Sequence, residues 1–176
     1  MSAKIEWLPD LMLQCDYDGF QEYLRAAYDA FAKDFITSTP TLAGREIKSR
    51  RHEAYQGMDH SFWHCIEEQV RGEEVSEENR TPKISLIERI RWPRPIIEHV
   101  ALDERVLAWT EIYRGRGARR RVHLFLEDED YVVVLDPRGK NKEGAPKYYL
   151  LWTTFLVDSD RRRREMMRRY ERGDSI

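Results

Sequence analysis

The sequence predicts an α+β fold in which N-terminal helices pack on a four-stranded antiparallel sheet and a basic C-terminal helix closes the chain. Three observations predict it. Aromatic and aliphatic residues recur at helical spacing in the first 40 positions, alternation of period two marks positions 106–157, and arginines crowd positions 160–172. At 176 residues the chain suits a single domain, and a domain of that size buries about two thirds of its unfolded surface. The apolar content of 41% is modest and the charged content of 35% is high, but 11% aromatic residues supply a core and argue against disorder.

Each element has its own signal. Tyr17, Phe20, Leu24, Tyr28, Phe31 and Phe35 follow three- and four-residue steps, which place them on one helix face. Asp16 or Asp18 is positioned to cap that helix, and Thr37 to Pro40 end it. Residues 41–66 read as irregular, punctuated by Gly44 and Gly57, with a short strand near Ile47. Residues 67–82 are acidic and polar and read as a surface loop. Ile84, Ile87 and Ile90 mark a short helix, which the prolines of Trp92-Pro93-Arg94-Pro95 interrupt. A further helical turn carries Ile96, Ile97 and Val100. The sheet then begins with Val106 to Tyr113 and a turn at Arg114 to Gly117. Val122, Leu124 and Leu126 alternate with Arg121, His123 and Glu127, as a half-buried strand requires. Tyr131 to Leu135 is an apolar run suited to a central strand, Asp136 to Pro146 a polar loop, and Tyr148 to Val157 the last strand. Asp160 is expected to cap the closing helix, with Met166, Met167 and Tyr170 turned inward.

The formal net charge of −2 conceals an asymmetry. Acidic residues gather from Glu73 to Glu78, whereas arginines gather in Arg114 to Arg121 and in Arg161 to Arg169, so one surface is far more basic than the net charge implies. The N-terminal apolar run is broken by Glu6, Pro9 and Asp10 and does not read as a signal peptide. No stretch approaches the roughly 18 apolar residues of a membrane span. Cys15 and Cys65 are the two cysteines, and they read as free thiols in a reducing, cytoplasmic compartment.

Candidate chemistry begins in Met58 to His64, where His60 and His64 stand four residues apart. On a helix this spacing would put both rings on one face, as in some zinc sites, but Ser61 occupies the place of the usual Glu and no third ligand stands at a recognisable spacing. No metal or other cofactor is therefore expected. An imidazole suits proton transfer near neutral pH. Lys48, Arg50 and Arg51 lie shortly before it, and phosphodiester cleavage needs cations where charge builds on the phosphate oxygens. In the last strand, alternation groups Thr153 with Tyr149, Leu151 and Phe155, and Thr154 with Tyr148 and Trp152. A strand-borne hydroxyl can hold a phosphate oxygen or orient the histidine. Asp136 and Lys140 faintly suggest a metal-dependent nuclease, but Pro137-Arg138-Gly139 reads as plain turn chemistry.

The order of these pieces resembles the barnase/EndoU/colicin D/RelE-like ribonuclease superfamily, in its phage- and prophage-associated branch. The resemblance covers roughly residues 42–170. It rests on Phe62-Trp63-His64, on Glu88 to Glu98 (ERIRWPRPIIE), on Asp130 to Leu135 (DYVVVL), and on Tyr148 to Phe155 (YYLLWTTF) running into a basic helix. It implies helices on a four-stranded antiparallel sheet and metal-independent RNA cleavage, in which the 2′-hydroxyl attacks the adjacent phosphate and leaves a cyclic phosphate. It also implies His64, Lys48 or Arg50, Thr153 and Phe155 as site residues around the open sheet face, with His60 and His123 in reserve. Relatives carry Tyr at the Phe155 position, so a phenolic role there does not carry over.

Three functions follow from these readings. The first is a toxin-like or prophage-defence endoribonuclease in which His64, Lys48 and Thr153 converge, and Arg50, Arg51, Arg119, Arg120, Arg121 and Phe155 hold RNA. Such an enzyme is expected to have a neutralising antitoxin or immunity protein as partner, and no membrane. The second is a non-catalytic nucleic-acid- or protein-binding phage-related module that uses the two arginine runs. The third is a metal-dependent nuclease built on Asp136.

Overall fold

A computed structural model of the chain describes residues 4–52, 54–67, 81–115 and 117–176. Most of the predicted acidic loop 67–82 and its Glu73–Glu78 run lie outside the described residues, as does Arg116 of the predicted turn.

The described architecture is α+β, but its sheet is larger than expected and not wholly antiparallel. The strands are β1 (Thr41–Leu42), β2 (Arg45–Lys48), β3 (Val106–Gly115), β4 (Gly117–Leu126), β5 (Tyr131–Arg138) and β6 (Tyr148–Leu156). They form one six-stranded sheet in the order β1-β2-β6-β5-β4-β3. Four of them, β3 to β6, form the predicted antiparallel meander. The correction comes from β2, which pairs parallel to β6 through Ile47 and Tyr149 and through Lys48 and Leu150. β1 then pairs with β2. Strands of two and four residues are too short for alternation to register, and parallel pairing joins positions a hundred residues apart.

The described helices are α1 (Phe20–Phe35), α2 (His60–Ile66), α3 (Ile84–Ile87), α4 (Pro93–His99) and α5 (Asp160–Arg172). α1 buries Tyr23, Leu24, Ala27, Phe31 and Phe35, so the aromatic stripe is a core face. Neither Asp16 nor Asp18 caps it. The N-cap is Gly19 at φ 129°, a conformation that favours glycine. Segment 60–66, read as irregular, is helical, and Ser159 rather than Asp160 caps α5, its hydroxyl accepting from the Arg162 amide.

The sheet separates two apolar clusters. On one face α1 to α4 cover Ile47, Leu124, Tyr131, Val133, Tyr149 and Leu151. On the other, α5 covers Trp109, Phe125, Val132, Val134 and Val157 through Met166. α5 leaves part of this outer face open, and the candidate site lies there. No helix among the described residues is long and apolar enough to cross a membrane.

α2 lies along the part of β6 that β2 leaves unpaired. The Ser61 hydroxyl donates to the Leu151 carbonyl at 2.8 Å and accepts from the Arg50 amide at 2.7 Å. Thr153 donates to the His64 carbonyl at 2.6 Å, and Thr154 to the Cys65 carbonyl at 2.7 Å. Side-chain hydroxyls thus satisfy carbonyls of the helix end and of the strand edge, groups that are costly to bury unpaired.

Candidate nucleic-acid interface

The outer sheet face carries a cleft where β2, β4, β5 and β6 approach one another. Five full cations line it: Lys48, Arg50, Arg51, Arg119 and Arg138. Tyr148 and Trp152 add aromatic rings, and no Asp or Glu is among the described residues that line it. Lys48 pairs with Glu46 at 3.1 Å and stands 5.0 Å over the Tyr148 ring. No carboxylate among the described residues pairs with Arg51 or Arg119. A cleft of this composition attracts phosphates, and its rings offer stacking surfaces for bases.

A β-bulge decides which side chains reach it. The register between β5 and β6 shifts at Val134/Leu135, so Leu135 opposes Leu151 while Val134 opposes Thr153, and Trp152 falls between them. Beyond the bulge every side chain changes face. Strict alternation grouped Thr153 with Leu151 and Thr154 with Trp152. In the folded chain Thr153 and Phe155 oppose Val134 and Val132 of the outer cluster, and Thr154 opposes Val133 of the inner one.

The imidazole of His64 stands beside the cleft, half-buried. It stacks on His60 at 4.1 Å between ring centroids and meets Trp152 edge-on at 5.5 Å. Because 60–66 is helical, contrary to the irregular segment expected there, the four-residue spacing brings both rings onto one face. The expected meeting of this imidazole with the Thr153 hydroxyl takes another form: Thr153, 8% exposed, donates to the carbonyl of His64. Its hydroxyl orients the backbone that carries the ring. The expected arginine set also divides. Arg50, Arg51 and Arg119 line the cleft. Arg121 is buried behind it with its guanidinium 4.4 Å over Trp152. Arg120 lies between two outward-facing neighbours and so alternates to the opposite face, away from the cleft. Phe155 is packed against the outer cluster and lines the adjoining groove.

Two polar networks stiffen this face, and sequence reading did not assemble either. Asp136, 4% exposed, is held between Arg121 and Arg138. Its carboxylate is committed to two guanidinium groups, which leaves it poorly suited to metal-dependent chemistry. Among the described residues no three His, Cys, Asp or Glu side chains form a metal-binding cluster. In the second network Arg169 of α5 reaches back to Glu111 at 2.5 Å and to the Tyr113 hydroxyl at 2.6 Å. Arg169 also lies 3.2 Å from Nε2 of His123, and the Tyr113 hydroxyl 3.1 Å from the same nitrogen. Arginine only donates, so Nε2 is an acceptor and the ring proton sits on Nδ1, 4.0 Å from a Glu111 oxygen. Alternation alone puts Glu111 and Tyr113, and Arg121 and His123, on shared faces. The contribution of Arg169 required α5 to fold back.

His123 is 1% exposed. Burial, with the nearby charges of Arg169 and Arg121, pushes its pKa down to about 3. The folded state therefore binds fewer protons at this site than the unfolded chain, whose histidine titrates near 6.5. The neutral ring is no burden above pH about 6.5, and between that value and about 3 stability falls as pH falls, by at most about 1.4 kcal/mol per pH unit. Urea midpoints measured from pH 7 to pH 4 should show a shallower decline for His123→Gln than for the parent chain. Parallel declines would remove His123 as a contributor.

Comparison of the chain with protein-family models, with curated proteins and with solved structures finds no match. The functional reading accordingly rests on the residues and their geometry.

Proposed function

We propose that this protein is a toxin-like endoribonuclease that works without metal, holding RNA in the cationic cleft and using His64 to move the proton. The observation that carries the reading is the cleft itself: five cations, His52, two rings and no described carboxylate in its lining, with the His64 ring meeting the Trp152 ring edge-on from outside that lining. The cations hold phosphates, and Tyr148 and Trp152 receive unstacked bases.

In the proposed reaction the His64 imidazole takes the proton of a ribose 2′-hydroxyl. The oxygen attacks the neighbouring phosphorus, the bond to the 5′-oxygen breaks and a 2′,3′-cyclic phosphate remains; the leaving oxygen takes a proton from solvent water, and the His64 imidazolium returns its proton to solvent. Arg51 and Arg119, which lack a described carboxylate partner, offset the charge gathering on the phosphate oxygens. Thr153 serves as a positioning residue through the His64 carbonyl. Lys48, drawn to Glu46 and Tyr148, contributes to capture of the strand. An RNase acting on its own cell's RNA would call for a neutralising protein, and a cover over a cationic cleft would carry acidic side chains.

One specific feature favours a second reading, a nucleic-acid-binding module without chemistry: the strand hydroxyl expected in the reaction is engaged by backbone. Incubation of the protein with total RNA in excess chelator separates the two. Fragments ending in cyclic phosphate are expected. RNA that is bound but intact would support the second reading, and cleavage that disappears with chelator would mean metal-dependent chemistry.

A further inference from the structure

A larger groove runs between α5 and the outer sheet face, beside the cleft. Its volume is about 990 Å³, at the top of the range for small-molecule pockets, which suits an extended ligand. Its cations include Arg119 and Arg121 from β4 and Arg161, Arg162 and Arg169 from α5, against Glu67 and Glu165. Several of these charges are already paired: Arg169 with Glu111, Arg121 with Asp136, and Arg162 with Asp158. Arg119 and Arg161 have no carboxylate partner among the described residues. The floor is apolar, formed in part by Phe155, Val157 and Met166. His123 also lines the groove from beneath, its ring buried.

Two residues join the groove to the cleft. Arg119 and Trp152 line both, so a chain leaving one cavity over the Trp152 ring enters the other. We propose that the α5 groove is a second subsite for the phosphodiester backbone of a single RNA strand, continuous with the cationic cleft. The inference rests on the cleft binding RNA. It adds where the strand continues and which form of RNA fits. Phosphates follow the α5 arginines along the rim, and bases turn toward the apolar floor. A duplex hides its base faces in its own stack and cannot use such a floor, so the ligand is single-stranded.

The test uses the full chain and RNA with 2′-O-methyl groups throughout, which cannot be cleaved by 2′-hydroxyl attack. Binding is measured over a salt series for oligomers of about four and about sixteen nucleotides, the span of single-strand site sizes. The Arg161→Ala/Arg162→Ala variant changes two exposed side chains and retains the Ser159 cap, which bonds to backbone. For the long oligomer the variant should bind roughly tenfold more weakly, with a salt slope reduced by about 1.4, since each single-strand phosphate contact contributes about 0.7. The short oligomer should bind both proteins equally. Unchanged long-oligomer affinity and slope would overturn the subsite. Equal losses for both lengths would also overturn it, because they would reflect the general field of α5 rather than a continuing path. If the parent chain bound neither oligomer, the RNA reading of the cleft itself would fall.

Discussion

Replacing His64 with alanine is expected to lower RNA cleavage by about 10²–10⁴-fold, the usual contribution of a positioned acid/base group, while leaving the fold intact. The fold should survive because the interaction that anchors this part of α2 uses backbone: Thr153 donates to the His64 carbonyl, which alanine retains. The ring is half-buried and stacks on His60 and against Trp152, so some packing is lost. That loss would appear as a modest fall in melting temperature and would not by itself remove activity. Cleavage rates on a defined RNA with chelator present, read beside thermal melts, check both halves. A rate within a few-fold of the parent would take His64 out of the mechanism and return attention to His60.

The largest stability effect is expected at Asp136. Its carboxylate lies between Arg121 and Arg138, and Arg121 is 7% exposed with its guanidinium over Trp152. Burial lowers the pKa of Arg121, and the Asp136 charge opposes that effect. Asp136→Ala would leave a buried guanidinium without its counter-charge, at a cost of about 3–5 kcal/mol. In a chain of this length that corresponds to a fall of roughly 10 °C in melting temperature. Removing both charges is a different matter, because an apolar pair of similar volume frequently costs little. Arg121→Met/Asp136→Leu should therefore recover much of the stability lost in Asp136→Ala. Denaturant midpoints for the two proteins test this, and a single variant within about 1 kcal/mol of the parent would show that water or a rearranged Arg138 satisfies Arg121.

The parts of the fold that were legible in the sequence are those whose signal is local. The run from Phe20 to Phe35 shows its core face because a helix repeats every few residues, and Tyr131 to Leu135 shows a central strand because both of its faces are buried. β1 and β2 went unrecognised as members of the main sheet because six residues carry no period. The candidate site was legible in composition and illegible in arrangement. The His60–His64 spacing and the cations at 48–51 point to a polyanion site. Which arginines face it depends on strand phase, and so Arg119 joins the cleft while Arg120 leaves it.

The sequence by itself determined the core face of α1, the meander of β3 to β6 and the basic closing helix. All of these are set by side-chain periodicity and turn chemistry within a few residues. Only the tertiary structure decided that Thr153 serves the backbone of His64, that Trp152 links two cavities, that Asp136 holds two arginines, and that Arg169 reaches His123. Each of these depends on a bulge or on contact between distant elements, and a one-residue shift in a strand exchanges its faces without leaving a mark in the local pattern.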